Sequence, residues 1–189
     1  MSRIPLLSPE ELDPAQRLVY DKVVSGPRGR LRGPLRAALY NPALADCWQA
    51  FGAQLRYRTQ LPAKLSELAI LVTARHCCSP FEWDAHRPEA EKAGLPAAII
   101  EAVLAQVCPA DMNESQSAVY AFALELNTRK SVGDAAYAAA LRLFGPRALV
   151  ELTALVGYYT LVAMTLNAHE IPLPEGVAPA FPMPQHDGF

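Results

Sequence analysis

The residues best suited to acid–base chemistry lie close together, in the segment ELAILVTARHCCSPFEWDAH between Glu67 and His86. Glu82 and His86 are four residues apart, so on a helix that begins at Pro80 their side chains share one face and can meet. A carboxylate beside an imidazole fixes the tautomer of the ring and balances its charge. The spacing therefore predicts a Glu82–His86 acid–base pair, and the alternative is an ordinary surface pair with little effect on stability.

Three neighbours of this pair are further candidates. Phe81 and Trp83 are expected to line a pocket around it and keep water out. Glu67 stands in a strongly apolar helical run, where a carboxyl group needs either a partner or a proton. Glu67 is therefore a candidate functional acid, and the alternative is a structural brace, because its counterpart Glu151 opens a second apolar helix.

A weak internal repeat supports that correspondence. PAKLSELAILV at residues 62–72 matches PRALVELTALV at residues 146–156, and QRLVY at residues 16–20 matches QSAVY at residues 116–120. The second pair is more widely separated than the first, which places an insertion in the irregular segment from Gly26 to Arg36. The pattern predicts two related helical halves, and chance similarity between Ala- and Leu-rich helices is the alternative.

The fold class predicted from these patterns is all-α, because apolar residues recur at helical spacing and no alternating run suggests a sheet. Helices are expected near residues 9–24, 42–57, 62–77, 80–93, 96–106, 114–128, 133–144 and 146–168. They form a single domain over residues 1–170. A proline-rich tail over residues 171–189 cannot be helical, and it is expected to lie extended on a neighbour or to be loose; its prolines are Pro172, Pro174, Pro179, Pro182 and Pro184.

Composition excludes several classes of protein. The 189 residues are 51% hydrophobic and 19% charged with a net charge of −2, which argues against a disordered chain and against a basic nucleic-acid binder. The four cysteines show no disulfide-framework spacing, and no signal peptide is expected, so a cytoplasmic location is predicted. The uncharged run from Leu152 to Ala168 raises the alternative of a membrane span, but its polar residues favour a buried helix, and no membrane partner is expected.

The order of these motifs resembles that of the carboxymuconolactone decarboxylase family, which includes the alkylhydroperoxidase D-like proteins. The resemblance is carried by Glu67, by FEWDAH at residues 81–86 and by A-x-x-A-G-L at residues 90–95, and it extends over about residues 34–168. It implies a helical fold that forms homo-oligomers. It also implies cofactor-independent decarboxylation of carboxylate-bearing lactones in aromatic-acid breakdown.

The chain departs from the peroxidase members of that family. Those members use Cys-x-x-Cys-x-x-x-His with a glutamate nineteen residues before the histidine, the separation of Glu67 and His86. The two cysteine positions fall on Ser79 and Glu82 here, so a disulfide cycle at that place is excluded. The Glu82-Trp83 pair is more like the decarboxylase branch.

Redox and metal chemistry at the nearby cysteines are weaker alternatives. Cys77 and Cys78 are adjacent and cannot form an unstrained disulfide. Together with His76 and His86 they match no common zinc spacing, so neither a metal nor a cofactor is predicted.

The inserted segment carries four arginines within a short stretch. Guanidinium groups suit carboxylates, so a basic loop over the pocket fits a lactone acid, and Arg32 is the predicted substrate-binding residue. The alternative is a solvated loop. Phosphate binding is disfavoured because the glycines do not form a phosphate-binding pattern. The members of the set are Arg28, Arg30, Arg32 and Arg36.

These observations together predict a homo-oligomeric helical enzyme that acts on a small carboxylate or lactone. His86 would move the proton, Glu82 would orient His86 and balance its charge, and Glu67 would complete the relay. Two alternatives stay open, a thiol peroxidase or other redox protein and a non-catalytic helical oligomer.

Overall fold

Eight α-helices, preceded by a 3-10 turn at Pro9–Glu11, follow one another along residues 2–183, the range that the computed structural model describes. No strand occurs in this range, so the predicted all-α class is confirmed. The helices are α1 Pro14–Ser25, α2 Pro34–Ala38, α3 Pro42–Tyr57, α4 Ala63–His76, α5 Pro80–Lys92, α6 Ala97–Leu104, α7 Glu114–Arg129 and α8 Asp134–Ala168.

Helix α4 lies at the centre of the fold. Every residue from Leu65 to Ala74 is buried, because α5, α7 and α8 all pack around this helix. Its apolar sequence explains the position, since a helix that is hydrophobic on all sides is stable only when it is covered on all sides. Glu67 is therefore held inside the protein, away from bulk water.

Helix α8 is interrupted at Gly145. This glycine adopts φ 74° and ψ 172°, and Pro146 follows it. Positive φ costs glycine little, and proline suits the first turn of the helical segment that begins there. The two segments on either side agree with the separate helices predicted at residues 133–144 and 146–168.

The same helix meets the length and composition requirements of a membrane span. An 18-residue window of Asp134–Ala168 has a mean hydropathy of 1.6, and half of that window is buried inside the protein. The core helix of a soluble protein meets the same requirements, so this helix is weak evidence for a span.

The two halves of the predicted repeat begin in the same way. Asp13 caps α1 and Asn113 caps α7, and each accepts a hydrogen bond from the backbone N–H of the glutamine three residues later. The side chains of Gln16 and Gln116 return the bond by accepting from the backbone N–H of the cap residue. Each QxxVY motif thus starts inside a reciprocal capping box, which satisfies two backbone donors that a helix start leaves free.

Two predicted boundaries near the N-terminus are wrong. The helix expected at residues 9–24 is divided, because Pro14 disfavours helical geometry at Asp13 and so starts a new helix. The segment from Gly26 to Arg36 is not irregular throughout. The end of this segment forms the start of α2. Gly33, at φ 54°, precedes Pro34, the first residue of the helix, and Leu35 is buried.

The described part of the C-terminal tail is not helical, as predicted, and it packs on its own chain. Phe181 is buried and stands edge-on to Trp83, with 5.9 Å between ring centroids. The Arg75 guanidinium lies over the Phe181 ring at 4.6 Å. The tail is therefore neither loose nor dependent on a neighbouring molecule at Phe181; Pro184 lies outside the described residues.

Candidate active site

A cavity of about 630 Å³ opens beside α5 and α8, and its wall also includes the segment before α2 and the end of α3. Polar and charged side chains form much of its surface. The lining includes Arg28, Arg30, Arg32, Arg56, Phe81, Glu82, His86, Lys92, Tyr158 and Tyr159.

A buried hydrogen bond joins α4 to α5 at the wall of this cavity. His86 Nδ1–H donates to Glu67 Oε2 at 2.7 Å, and both side chains are almost fully enclosed. Assigning the proton to Nδ1 follows from the partner, because a carboxylate only accepts. Nε2 is left as the ring atom that can exchange a proton with a ligand.

The predicted direct pairing of Glu82 with His86 is wrong in this geometry. Helix α4 places Glu67 against His86, so the residue expected to complete the relay is the one that holds the imidazole. Glu82 is 1% exposed and forms no hydrogen bond through either oxygen. Burial raises the pKa of Glu82 well above its ordinary value, because the charged form loses the stabilisation that water provides.

Two tyrosines of α8 complete the polar end of the cavity. The ring of Tyr159 stands edge-on to His86 with 4.8 Å between centroids. Burial raises the pKa of Tyr159 well above its ordinary value, so its phenol keeps its proton. Arg28 Nη2 donates to the Tyr158 hydroxyl at 3.4 Å. Sequence reasoning missed both tyrosines, although two adjacent aromatic hydroxyls in an otherwise apolar helix were a usable signal.

Gly52 of α3 allows this close packing. A Cβ atom at that position would lie 2.1 Å from the Tyr158 hydroxyl oxygen and 2.4 Å from Arg28 Nη2. Real side chains do not approach so closely. Glycine is therefore required for the tyrosine and the arginine to meet at the cavity wall.

The basic wall differs in part from the predicted one. Arg32, the predicted substrate-binding residue, lines the cavity with Arg28 and Arg30. Arg36 is absent from the lining and instead donates to the carbonyl oxygens of Leu6, at 2.5 Å, and Leu7, at 3.2 Å. It holds the N-terminal segment in place and has a structural role.

Arg56 of α3 also lines the cavity, although no pattern in the sequence points to it. Burial alone would lower its pKa, but facing groups, led by Tyr159 and including Glu67, raise the pKa of Arg56 above its ordinary value. Its guanidinium therefore stays charged, and it lies close enough to Tyr159 and Glu67 to interact with them electrostatically. A cation in that position suits an anionic ligand.

Trp83 does not line the cavity, contrary to the prediction, whereas Phe81 does. The Trp83 side chain is 1% exposed and belongs to the hydrophobic core, where Phe181 covers it. Each residue of a helix turns the side-chain direction by about 100°, so Phe81 and Trp83, two residues apart, point to nearly opposite sides and cannot both face one pocket. Trp83 thus anchors α5 to the hydrophobic core on the side of the helix that faces away from the cavity.

The two candidate glutamates of the repeat have different environments. Glu151 accepts from the backbone N–H of Gln60 at 2.7 Å and pairs with Arg147 at 3.2 Å. It therefore braces α8 against the loop that follows α3. Glu67 contacts the cavity histidine instead, which favours the functional interpretation for Glu67 alone.

Cys77 is a poor nucleophile at neutral pH. Burial, and next the neighbouring Glu82, raise the pKa of Cys77 to about 11. Because its ordinary value is 9.0, the thiolate fraction near neutral pH falls about 100-fold. Within residues 2–183, no three His, Cys, Asp or Glu side chains are grouped so that they could hold a metal ion.

We therefore expect a clear order of thiol alkylation. Iodoacetamide at pH 7.5 should modify the exposed Cys47 and Cys108 first, and Cys77 about 100-fold more slowly than an unperturbed thiol. Peptide mass spectrometry at timed intervals gives the order, and the exposed cysteines act as internal controls. Labelling of Cys77 as fast as Cys47 would contradict the protonated state assigned to it.

The structure is thus an all-helical fold with a buried Glu–His pair at the wall of a cavity rich in basic side chains. Residues 42–125 match the sequence model of the carboxymuconolactone decarboxylase family, which supports the assignment of the chain to that family. No curated protein matches the chain.

Among solved structures, the chain is similar to the crystal structure of a cysteine-to-alanine variant of the debrominase Bmp8 in complex with 2,3,4-tribromopyrrole. The TM-score is 0.72 at 16% sequence identity, and the match covers 93% of this chain and 95% of that one. At this identity the likeness shows a shared fold.

Proposed function

We propose that this protein is a cofactor-independent decarboxylase of small, carboxylate-bearing substrates, with a carboxylated lactone as the preferred class. The observation that carries the proposal is the buried His86–Glu67 hydrogen bond at the wall of an arginine-lined cavity. Such a pair is suited to moving a proton in a site with little water. The family assignment supports the same class of reaction.

The charges around the cavity favour an anionic ligand. Five basic side chains line it, against three acidic ones, and burial raises the pKa of one of these, Glu82, which favours its protonated form. The guanidinium groups of Arg28, Arg32 and Arg56 can each hold a carboxylate through two N–H donors. A substrate with a carboxylate beside a conjugated ring carbonyl would fit both the charge and the acid–base pair.

The proposed reaction breaks the bond between a substrate carbon and its carboxylate. Carbon dioxide leaves, and the electron pair moves into the conjugated lactone carbonyl as an enolate. His86, oriented by Glu67, donates a proton from Nε2 to the enolate oxygen. The carbon then receives a proton, and the oxygen returns its own proton to Nε2 as the carbonyl re-forms. Arg56 stabilises the negative charge, and Phe81 reduces access of water.

The alternatives have less support. A thiol peroxidase needs a reactive thiolate, whereas the raised pKa of Cys77 keeps that thiol protonated. The solved neighbour is recorded with 2,3,4-tribromopyrrole, which supports a small ring compound as ligand for a fold of this kind. A homo-oligomer in the cytoplasm remains our proposal from the family resemblance, to be checked by sedimentation velocity and cell fractionation.

Ligand binding is tested by thermal unfolding with carboxymuconolactone and simpler mono- and dicarboxylates. We expect the lactone to raise the melting temperature of the wild-type protein, because a ligand that binds only the folded state stabilises it by mass action. Arg56→Met should weaken apparent binding at least about tenfold by removing a partly buried cation from the cavity wall.

Arg142→Met is the matched control, because Arg142 is an exposed arginine that pairs with Glu114 outside the cavity. It should bind like wild type. Equal binding by Arg56→Met and Arg142→Met would contradict the carboxylate site, and the absence of any shift with wild type would contradict the substrate class.

A further inference from the structure

The first turn of α5 carries a capping-box sequence that does not form a capping box. In Ser-x-x-Glu at residues 79–82, the serine hydroxyl and the glutamate carboxylate would each bind the backbone N–H of the other residue. Instead, the Ser79 N–H donates to the Ala74 carbonyl at 2.9 Å. The Ser79 hydroxyl and both Glu82 oxygens have no partner. The corresponding boxes of α1 and α7 are complete.

Glu82 therefore has no structural role that explains its presence. It caps no helix, forms no ion pair and is 1% exposed, whereas Glu67, the other buried carboxyl group among residues 2–183, has a partner. An unpartnered carboxyl group in such a place reduces stability, since buried polar groups without hydrogen bonds are costly. A costly group that lines a cavity indicates a functional requirement.

The surroundings of Glu82 keep its proton in place. Cys77 reaches it from the end of α4 and Tyr159 from α8, and both keep their own protons. On its own helix, His86 follows one turn later but is already bonded to Glu67. The Arg56 guanidinium acts on Tyr159 and Glu67, and it is not a partner of Glu82. In the described part of the chain, no cation therefore stabilises a Glu82 carboxylate.

We propose that Glu82 is the catalytic acid that delivers a proton to the substrate carbon from which carbon dioxide has left, or to the carbon conjugated with it. In this step the Glu82 O–H bond breaks and a C–H bond forms with the electron pair held by the enolate. The resulting carboxylate is re-protonated from water that enters with product release. His86 exchanges its proton with the carbonyl oxygen, so the two groups act on different atoms of the substrate.

This inference rests on the proposed function, but the state of Glu82 can be measured without a substrate. We compare wild type, Glu82→Gln and the exposed control Glu91→Gln by urea unfolding between pH 4.5 and 9. Burial raises the folded-state pKa of Glu82 above 4.5, so ionisation favours the unfolded chain as pH rises from there to the folded-state pKa. Within that window, the unfolding equilibrium constant of wild type should increase tenfold per pH unit relative to Glu82→Gln.

The control should follow the wild-type profile, because Glu91 lies on the same helix but is half exposed and paired with Arg87. Parallel profiles for wild type and Glu82→Gln would show an ordinary ionised glutamate and would overturn the proposal. A constant offset caused by the amide does not change the slope, so the result remains interpretable if the variant is less stable.

The second arm measures turnover of carboxymuconolactone. Glu82→Gln should lower kcat by about 10² to 10⁴ with KM changed less than about threefold, the range for loss of a general acid. It should also remove the loss of kcat at high pH that ionisation of Glu82 causes in wild type. Unchanged kcat in an active protein would overturn the role of Glu82 and leave the proposed function standing. A wild type that releases no carbon dioxide would instead overturn the proposed function and, with it, the catalytic role.

Discussion

Replacement of His86 by alanine is expected to lower turnover of a carboxylated lactone by about 10³-fold, within the range for loss of a general acid–base group. The imidazole lies at the cavity wall and is held in one tautomer by Glu67, so no other group at that place can exchange the same proton. The measurement is kcat/KM from carbon dioxide release. Circular dichroism should show unchanged helical content.

His86→Asn makes this test independent of stability. The asparagine amide can still donate to Glu67, so the buried carboxyl group keeps a partner, but it cannot titrate. It should be as inactive as His86→Ala and more stable, because alanine leaves Glu67 unpaired inside the protein. Glu151→Gln should stay active, since Glu151 is the repeat counterpart that braces α8. Near-wild-type turnover by His86→Asn would contradict the mechanism.

Replacement of Trp83 by alanine is expected to reduce the free energy of unfolding by about 3–5 kcal/mol, the usual cost of removing a large aromatic side chain from a core. Trp83 is 1% exposed, and Phe181 of the tail packs against it edge-on. Urea unfolding followed by circular dichroism measures the loss.

Phe81→Ala is the informative companion, because Phe81 is only partly buried and lines the cavity. It should cost less stability than Trp83→Ala and weaken ligand binding more. The opposite result, a Trp83→Ala variant that is stable but defective in binding, would show that Trp83 lines the pocket.

The helical fold could be predicted from the sequence because its signals are local. Proline and glycine mark most helix ends, and the break at Gly145 with Pro146 was visible as a gap between two helices. Asp13 followed by Pro14 marks the boundary between the 3-10 turn and α1. The apolar pattern continues across this boundary, so it predicted one helix instead of two elements. Helix α2 is too short for periodicity to show it.

The residues of the site could be predicted from the sequence better than the contacts between them. Glu67 and His86 were found because their separation matches a family motif, but which carboxyl group contacts His86 depends on how α4 packs on α5. Spacing on one helix favoured Glu82 and gave the wrong partner. Arg56 comes from a distant segment, so only the folded chain brings it to the cavity.

The burial of Trp83 shows the same limit. A tryptophan beside a catalytic histidine suggests a pocket wall, and the sequence of α5 does not state which side of the helix the core covers. The tail decides it, because Phe181 packs on Trp83 from a part of the chain about a hundred residues away. Long-range packing of this kind has no local signal.

The most direct test of acid–base decarboxylation is the release of labelled carbon dioxide from carboxymuconolactone with ¹³C in its carboxyl groups, without added metal or organic cofactor. We expect wild type to release ¹³CO₂ in proportion to lactone consumed, and His86→Asn to release about 10³-fold less. Binding of the lactone without any release above the His86→Asn level would contradict this account and indicate a non-catalytic binding protein.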